Sequence, residues 1–517
     1  MNRILSIFVV IALILSFSSC RFSDDDNILR YDIGSQPKTL DPQASNDEAG
    51  RLVLSHVFEG LLSKNSDGEL VNACAKKYEV SKDGLTYTFT LHDDIFWSNG
   101  AKLTADDFLF AFTRLFRPET RASDVSGFLC IKNAKEIYNG ERSVDDLGVY
   151  TLNETTLVIE LDYNDSSFLQ ALATVPASPC NREFFEKTKG KYGADYKNVI
   201  YNNRFQINDW KENSYITLRP NNDYRDQSAI KSDGINFYTS ANLNSKDRFF
   251  DETTDIVELS FNDIKSLDQS KFKTIPLSCT TWVLGFNQRN ELFQNQKLRT
   301  ALLLCAQQID VKPDADIFTT AKSMIPLALE AEYDSPALKS PHPPFELYKS
   351  ALEELGIAKL PTVKIIAPDY YDFKLYLTYL QKAWMNELGV AINFEVLDDS
   401  AFNSALEKGN FDIIILPITA DSNAMLGVFN SFTSYSSNNY FSYKNAEYDA
   451  LAAQASQQTS SQAQQSLFYE LEKTLIESAV LTPVFHEKEY LGLNKRVQGI
   501  VINPLGPELD FSFAYKK

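Results

Sequence analysis

Leu85-Thr86-Tyr87-Thr88-Phe89-Thr90-Leu91 alternates without a break, large apolar residues separated by threonines. A period of two sends the two sets to opposite faces of a half-buried strand. Thr104 then caps a helix with Asp106 and Asp107 in its first turn and Phe108, Ala111, Phe112 and Leu115 on one face. The same alternation of strand and helix extends outward in both directions. Toward the N-terminus, Asn46 to Leu62 repeats Leu52, Val53, His56, Val57 and Leu61 at helical spacing. Before it, Ile28 to Gly34 is a strand, broken by the turn Ser35 to Pro42. Toward the C-terminus, Leu157 to Leu161, Tyr215 to Leu218 and Ile235 to Tyr238 continue a sheet. A second block starts near Thr280. It holds a helix at Leu298 to Cys305, a strand at Val363 to Ile366 and a helix at Tyr376 to Leu388 closed by Gly389. Strands follow at Val390 to Leu397 and Phe411 to Leu416, separated by a helix. Ala452 to Ser466, continued by Leu467, Leu471 and Leu475, reads as one long surface helix. Two such blocks describe an α/β protein of two lobes with a ligand cleft between them.

A chain of 517 residues holds several domains at about 150 residues each. Apolar residues make up 44%, with 35 Phe and 25 Tyr, enough for a large core. Lys and Arg number 50 against 69 Asp and Glu, a net charge of −19 that repels phosphate backbones and argues against a nucleic-acid partner. Arg3 followed by the apolar run Ile4 to Phe17 and by Ser18-Ser19 has the layout of a signal peptide over residues 1–19. Cys20 after the two serines resembles a bacterial lipobox, which implies lipidation at Cys20. Past it no apolar run reaches membrane-spanning length, so the expected anchor is lipid alone. Cys74, Cys130, Cys180, Cys279 and Cys305 remain, an odd set with no close spacing, so this is no disulfide scaffold. His56, His92, His342 and His486 stand far apart and form no zinc pattern. A hydrolase elbow, a phosphate loop and a dinucleotide fingerprint are all missing, so nothing in the sequence argues for an enzyme or a cofactor.

Ile33-Gly34-Ser35 with Thr39-Leu40-Asp41-Pro42, then Phe58-Glu59-Gly60-Leu61-Leu62, resembles the opening of the oligopeptide-binding proteins of bacterial ABC importers. Asp83 to Leu91, Phe96-Trp97-Ser98-Asn99-Gly100 and Leu103 to Phe108 are similar to that family's next blocks. Gly193-Ala194-Asp195-Tyr196, Asp209-Trp210, Leu298-Arg299-Thr300-Ala301-Leu302 and Thr482-Pro483-Val484 follow in the family's order. The resemblance implies a two-lobed periplasmic-binding-protein fold (type II, three-domain variant). Domain I would comprise 20–57, 174–277 and 481–517, domain II 58–173, and domain III 278–480. It also implies a monomer in the periplasm, tethered to a bacterial membrane as a lipoprotein. Its ligands would be short peptides, and its partners the permease and ATPase subunits of an ABC importer.

In that family an extended ligand is held by strand-like edges of both lobes, and an aspartate of domain III pairs with its α-ammonium. Gly409-Asn410-Phe411-Asp412 leads without gaps to Pro417-Ile418-Thr419-Ala420-Asp421, which places Asp421 on that aspartate. Asn46-Asp47-Glu48 falls on the domain I edge, and the same residues suit a helix N-cap. Trp282 is a candidate apolar wall; Phe485 and His486, at the return to domain I, are further candidates. Departures accompany these matches. Ile418 stands where a tryptophan is common, and Pro417 cannot donate a backbone N–H. Cys279 finds Thr419 where some members have a partner cysteine, so no such cross-link is expected. Ile415, Leu406 and Phe373 occupy the positions of bases that bind a ligand carboxylate, with Lys408 and Lys374 close by but out of register. These departures leave open a non-standard solute such as glutathione, a murein peptide or a metal chelate, and also a surface receptor or adhesin that reuses the fold.

Overall fold

The computed structural model describes residues 27–517, apart from 67, 123–124, 166, 240–243, 278–279, 310–317, 326–335, 370–372, 420–423, 437, 457, 459–460 and 503–508. Cys20, Cys279 and Asp421 therefore lie outside the described residues.

Two mixed sheets dominate the molecule. The first is seven-stranded, in the order Phe272–Leu277, Glu489–Asn494, Ile256–Leu259, Ile28–Asp32, Gly234–Tyr238, Tyr215–Pro220, Phe205–Lys211. Ile28–Asp32 pairs in parallel with both of its neighbours. The second is six-stranded, in the order Phe318–Thr320, Leu481–Glu487, Thr280–Phe286, Ile413–Thr419, Val363–Pro368, Ile392–Leu397. Thr280–Phe286 is buried along its whole length, the two threonines at its start included, with a strand on either side.

The strand anticipated at Leu85–Leu91 is Thr86–Leu91, with Tyr87, Phe89 and Leu91 buried. It sits inside a four-stranded antiparallel sheet, Ala75–Val80, Thr86–Leu91, Thr156–Glu160, Val149–Asn153. The following helix, Ala105–Leu115, starts where expected: the Thr104 amide donates to Asp107 Oδ2 at 2.9 Å. Phe108, Phe112 and Leu115 on its inner face are fully buried.

Two buried ion networks join this smaller unit to the first sheet. Arg114 forks onto the Asp41 carboxylate, with Nη1 to Oδ1 at 3.1 Å, and also reaches Gln43 Oε1 at 2.7 Å. Glu59 takes Arg225 Nη1 on Oε2 and the Tyr224 hydroxyl on Oε1 at 2.8 Å, while its backbone exchanges bonds with the Asn202 amide.

Three expectations are corrected. The helix expected over Asn46–Leu62 is Glu48–Val57, because Asp47 caps it and the chain turns extended at Phe58. The long helix expected from Ala452 onward is two helices, Ala446–Ser456 and Ser461–Glu477. The expected re-entry into the first lobe at 481 comes later, since Leu481–Glu487 still pairs within the second sheet and Glu489–Asn494 is the first strand back.

Candidate functional site

The two sheets are connected by an antiparallel ribbon. One strand of it runs from Phe272–Leu277 into Thr280–Phe286, the other from Leu481–Glu487 into Glu489–Asn494. Leu277 faces Glu489 on the first-sheet side and Thr281 faces His486 on the second-sheet side.

Around this junction the second sheet brings five of the candidate residues into adjacent rungs. Pro417, Trp282 and Phe485 form one rung, and Ile418, Thr281 and His486 the next. Thr419 pairs with Thr280 beyond them. Trp282 is 1% exposed, and its indole packs on Phe373 at 4.8 Å and donates from Nε1 to Glu487 Oε2 at 2.9 Å. Phe485 lies between Phe318 and Tyr376, tilted against the first at 5.4 Å and edge-on to the second at 5.3 Å. His486 Nδ1 lies 3.0 Å from the Thr281 hydroxyl. Ile418 is buried with them. The expected apolar wall at Trp282 is therefore packed inside the lobe beneath helix Phe373–Leu388, and Phe485 and His486 share its burial. Burial also pushes the Tyr376 hydroxyl well above its ordinary pKa.

Among the described residues the sheet leaves one edge of a strand unpaired at this end, although Ile415 in it is fully buried. Val363–Pro368 pairs with the strand Ile413–Thr419 only at Ile413 and Ile414. From Ile415 to Thr419 the strand keeps Thr280–Leu284 on its other side and, among the described residues, gains no second neighbour. A proline is tolerated in a strand at such an edge, and half-buried Pro417 sits there. Ile415, Leu406 and Phe373 are core residues of this lobe; Lys374 and Lys408 are exposed, with Lys408 Nζ on Ser404 Oγ at 2.9 Å.

On the first sheet, Asp47 closes the amino end of helix Glu48–Val57. Its Oδ1 accepts from the Gly50 amide at 2.8 Å and its Oδ2 from the Lys38 amide at 3.2 Å. Asn46 and Glu48 are exposed on either side of it. Desolvation, and then the charge of Glu48, raise the carboxyl pKa of Glu258.

Sequence reasoning missed Glu487 and the open edge. An acid ending the apolar strand Leu481–Glu487 was the visible signal for the first; the second depends on how far a strand from elsewhere in the chain extends. A pocket lined by Leu62, Leu70, Val71 and Tyr78 lies on the hairpin of the smaller unit, apart from these strand ends. Among the described residues no group of side chains could hold a metal ion, and no helix is long and apolar enough to cross a membrane.

Comparison with known proteins places this geometry in context. The family described as bacterial extracellular solute-binding proteins, family 5 (middle), matches residues 69–440. The dipeptide-binding protein DppE of Bacillus subtilis is 26% identical over 95% of this chain and 92% of its own. The probable deoxycholate-binding periplasmic protein YgiS of Escherichia coli is 26% identical over 90% of each chain. The unliganded open form of the murein tripeptide-binding protein MppA shares the fold with a TM-score of 0.77, at 23% identity over 95% of this chain and 98% of that one.

Proposed function

Because the chain belongs to the family 5 bacterial extracellular solute-binding proteins, we propose that it captures short peptides outside the cytoplasmic membrane and delivers them to an ABC importer. The observation that supports peptides most directly is the strand end Pro417–Thr419, which among the described residues has no second neighbouring strand. An extended peptide can add to it as a further strand, taking backbone hydrogen bonds that any sequence offers. Asp421, just past that edge, would pair with the ligand's α-ammonium. Asn46, Asp47 and Glu48 would meet the ligand from the first lobe. Trp282, Ile418, Phe485 and His486 would hold the edge strand in place from within the lobe. Pro417 and Thr419 would lie along the ligand.

Binding does the work here. The lobes close because ligand binds the closed form more tightly than the open one, and the two-strand ribbon is the natural place to bend. In this reading domain I comprises 20–57, 174–277 and the C-terminal segment, domain II 58–173, and domain III the segment from 278; pairing of Leu481–Glu487 within the second sheet supports a return to domain I near 488. Lipidation at Cys20 would keep the protein at the membrane as a monomer. Similarity to the probable deoxycholate-binding periplasmic protein YgiS, with the altered residues around Asp421, supports a second reading in which the solute is not a standard peptide.

Isothermal titration with a mixed tri- to pentapeptide library tests the proposal, on protein refolded free of carried-over ligand and bearing Cys20→Ala. Binding heat is expected, and it should vanish with N-acetylated peptides and with Asp421→Ala. Well-folded protein that binds no free-amine peptide would refute the peptide reading.

A further inference from the structure

A peptide carries a carboxylate at the end away from its amine, and the second-lobe positions expected to hold bases for it are Ile415, Leu406 and Phe373, all core residues. The first sheet places a cation at the side where the lobes meet. Leu259 ends its strand opposite Tyr490, next to Glu489, which opens the strand returning from the second sheet. Ile28–Asp32 runs parallel both to Ile256–Leu259 and to Gly234–Tyr238. The carboxyl ends of all three strands therefore lie toward the junction between the sheets, and ligands of open α/β sheets sit outside such ends.

Asp32 and Tyr238 are the paired last residues of two of these strands. Arg248, on the short helix Ser245–Phe250, reaches both: its guanidinium lies 3.8 Å from the centre of the Tyr238 ring, and Nη1 is 3.5 Å from Asp32 Oδ2. Asp32 has shorter bonds elsewhere, from the Gly34 amide to Oδ1 at 3.0 Å and from the Ser245 hydroxyl to Oδ2 at 3.1 Å. The Arg248 side chain is only 15% exposed. Among the described residues, the long contact to Asp32 is nevertheless the one hydrogen bond its guanidinium makes. Arg114, Arg225 and Arg299, comparably covered, each spend their donors on several acceptors. Arg248 is held in place and left with donors to give.

We propose that Arg248 is a carboxylate-binding residue of the first lobe and pairs with the terminal carboxylate of the captured peptide. The inference rests on the peptide reading above and supplies the partner for the ligand end that Asp421 does not take. A guanidinium stacked on a tyrosine has its plane fixed, and its fork matches the two oxygens of a carboxylate. With the amine on the second lobe and the carboxylate on the first, the peptide itself bridges the lobes, and only the closed form can make both bonds.

The test titrates refolded, ligand-free protein with the tri- to pentapeptide library as free acids and with the same library amidated at the C-terminus. The unaltered chain should bind the acids at least about tenfold more tightly than the amides. Arg248→Met keeps an unbranched apolar stem beside Tyr238 and removes the fork. It should weaken the acids to the level of the amides and leave the amides as they were, so the ratio falls to about one. Arg248→Lys should restore only part of the ratio, and it carries the same comparison if the methionine variant does not fold. A residue that merely supports the lobe would weaken both libraries alike. A ratio unmoved by these variants, or an unaltered chain that binds acids and amides equally, overturns the proposal while leaving peptide binding intact. Unaltered protein that binds neither library overturns the peptide reading, and this assignment with it.

Discussion

Arg299, 4% exposed, donates Nε to the Ala479 carbonyl, Nη1 to Phe293 and Gln294, and Nη2 to Ser478, at 2.7–3.0 Å. It ties helix Gln296–Ala306 to the carbonyls after helix Ser461–Glu477, and burial lowers its guanidinium pKa to about 10. Arg299→Met should cost about 3 kcal/mol in urea unfolding, because those carbonyls lose their donors. Arg299→Lys should recover less than half, since an ammonium cannot span the fork. Losses under 1 kcal/mol would contradict this role. Asp107 offers a pH test. Burial raises its carboxyl from 3.8 to about 6, against the lowering effect of bonds from the Thr104 amide, the Trp97 indole and the Asn181 amide. The folded chain therefore holds this proton to higher pH than the unfolded chain. Its stabilisation is full below about pH 4 and lost as pH rises through about 6. Relative to Asp107→Asn, the native protein should lose roughly 2 kcal/mol over that window; parallel stability curves would show that Asp107 is ionised throughout. The sequence displayed Arg299 within a motif and Asp107 in a helix's first turn. Arg299's most distant partners, Ser478 and Ala479, lie some 180 residues away, beyond the reach of any local pattern.

The helices and strands were legible where one periodicity decided them. The Thr86–Leu91 strand, helix Ala105–Leu115 and the stop at Gly389 all follow from local chemistry. Gly389 adopts φ +68°, and its amide and that of Val390 satisfy the carbonyls of Met385 and Trp384. A Cβ there would touch nothing within 4 Å, so Gly389→Ala should cost only backbone strain, about 1 kcal/mol in thermal unfolding. No measurable cost would mean that the helix end relaxes. The Gln/Ser-rich region was misread because helix spacing persists on both sides of the break. There the Gln464 side chain donates to the Ala455 carbonyl and the Ser456 hydroxyl to Ala452, so side chains satisfy groups that a continued helix would have paired. The candidate site was half legible. The strand anticipated at Phe411 to Leu416 is Ile413–Thr419, whereas burial of Trp282, Phe485 and His486 depended on a helix from elsewhere covering them.

For the molecule as a whole, the Asp41–Arg114 and Glu59–Arg225 networks make the smaller unit and the first sheet one body. Arg225→Met strands the buried Glu59 carboxylate and should cost about 3 kcal/mol, read as a lower urea midpoint; an unchanged midpoint would show that the network carries little. In the proposed capture mechanism the first lobe would then move as a unit. Small-angle X-ray scattering tests closure on a peptide most directly. The radius of gyration of ligand-free protein should fall when the tri- to pentapeptide library is added and stay constant for Asp421→Ala or with N-acetylated peptides. A radius unchanged by any free-amine peptide, in protein that remains folded, would contradict capture by lobe closure on the peptide amine.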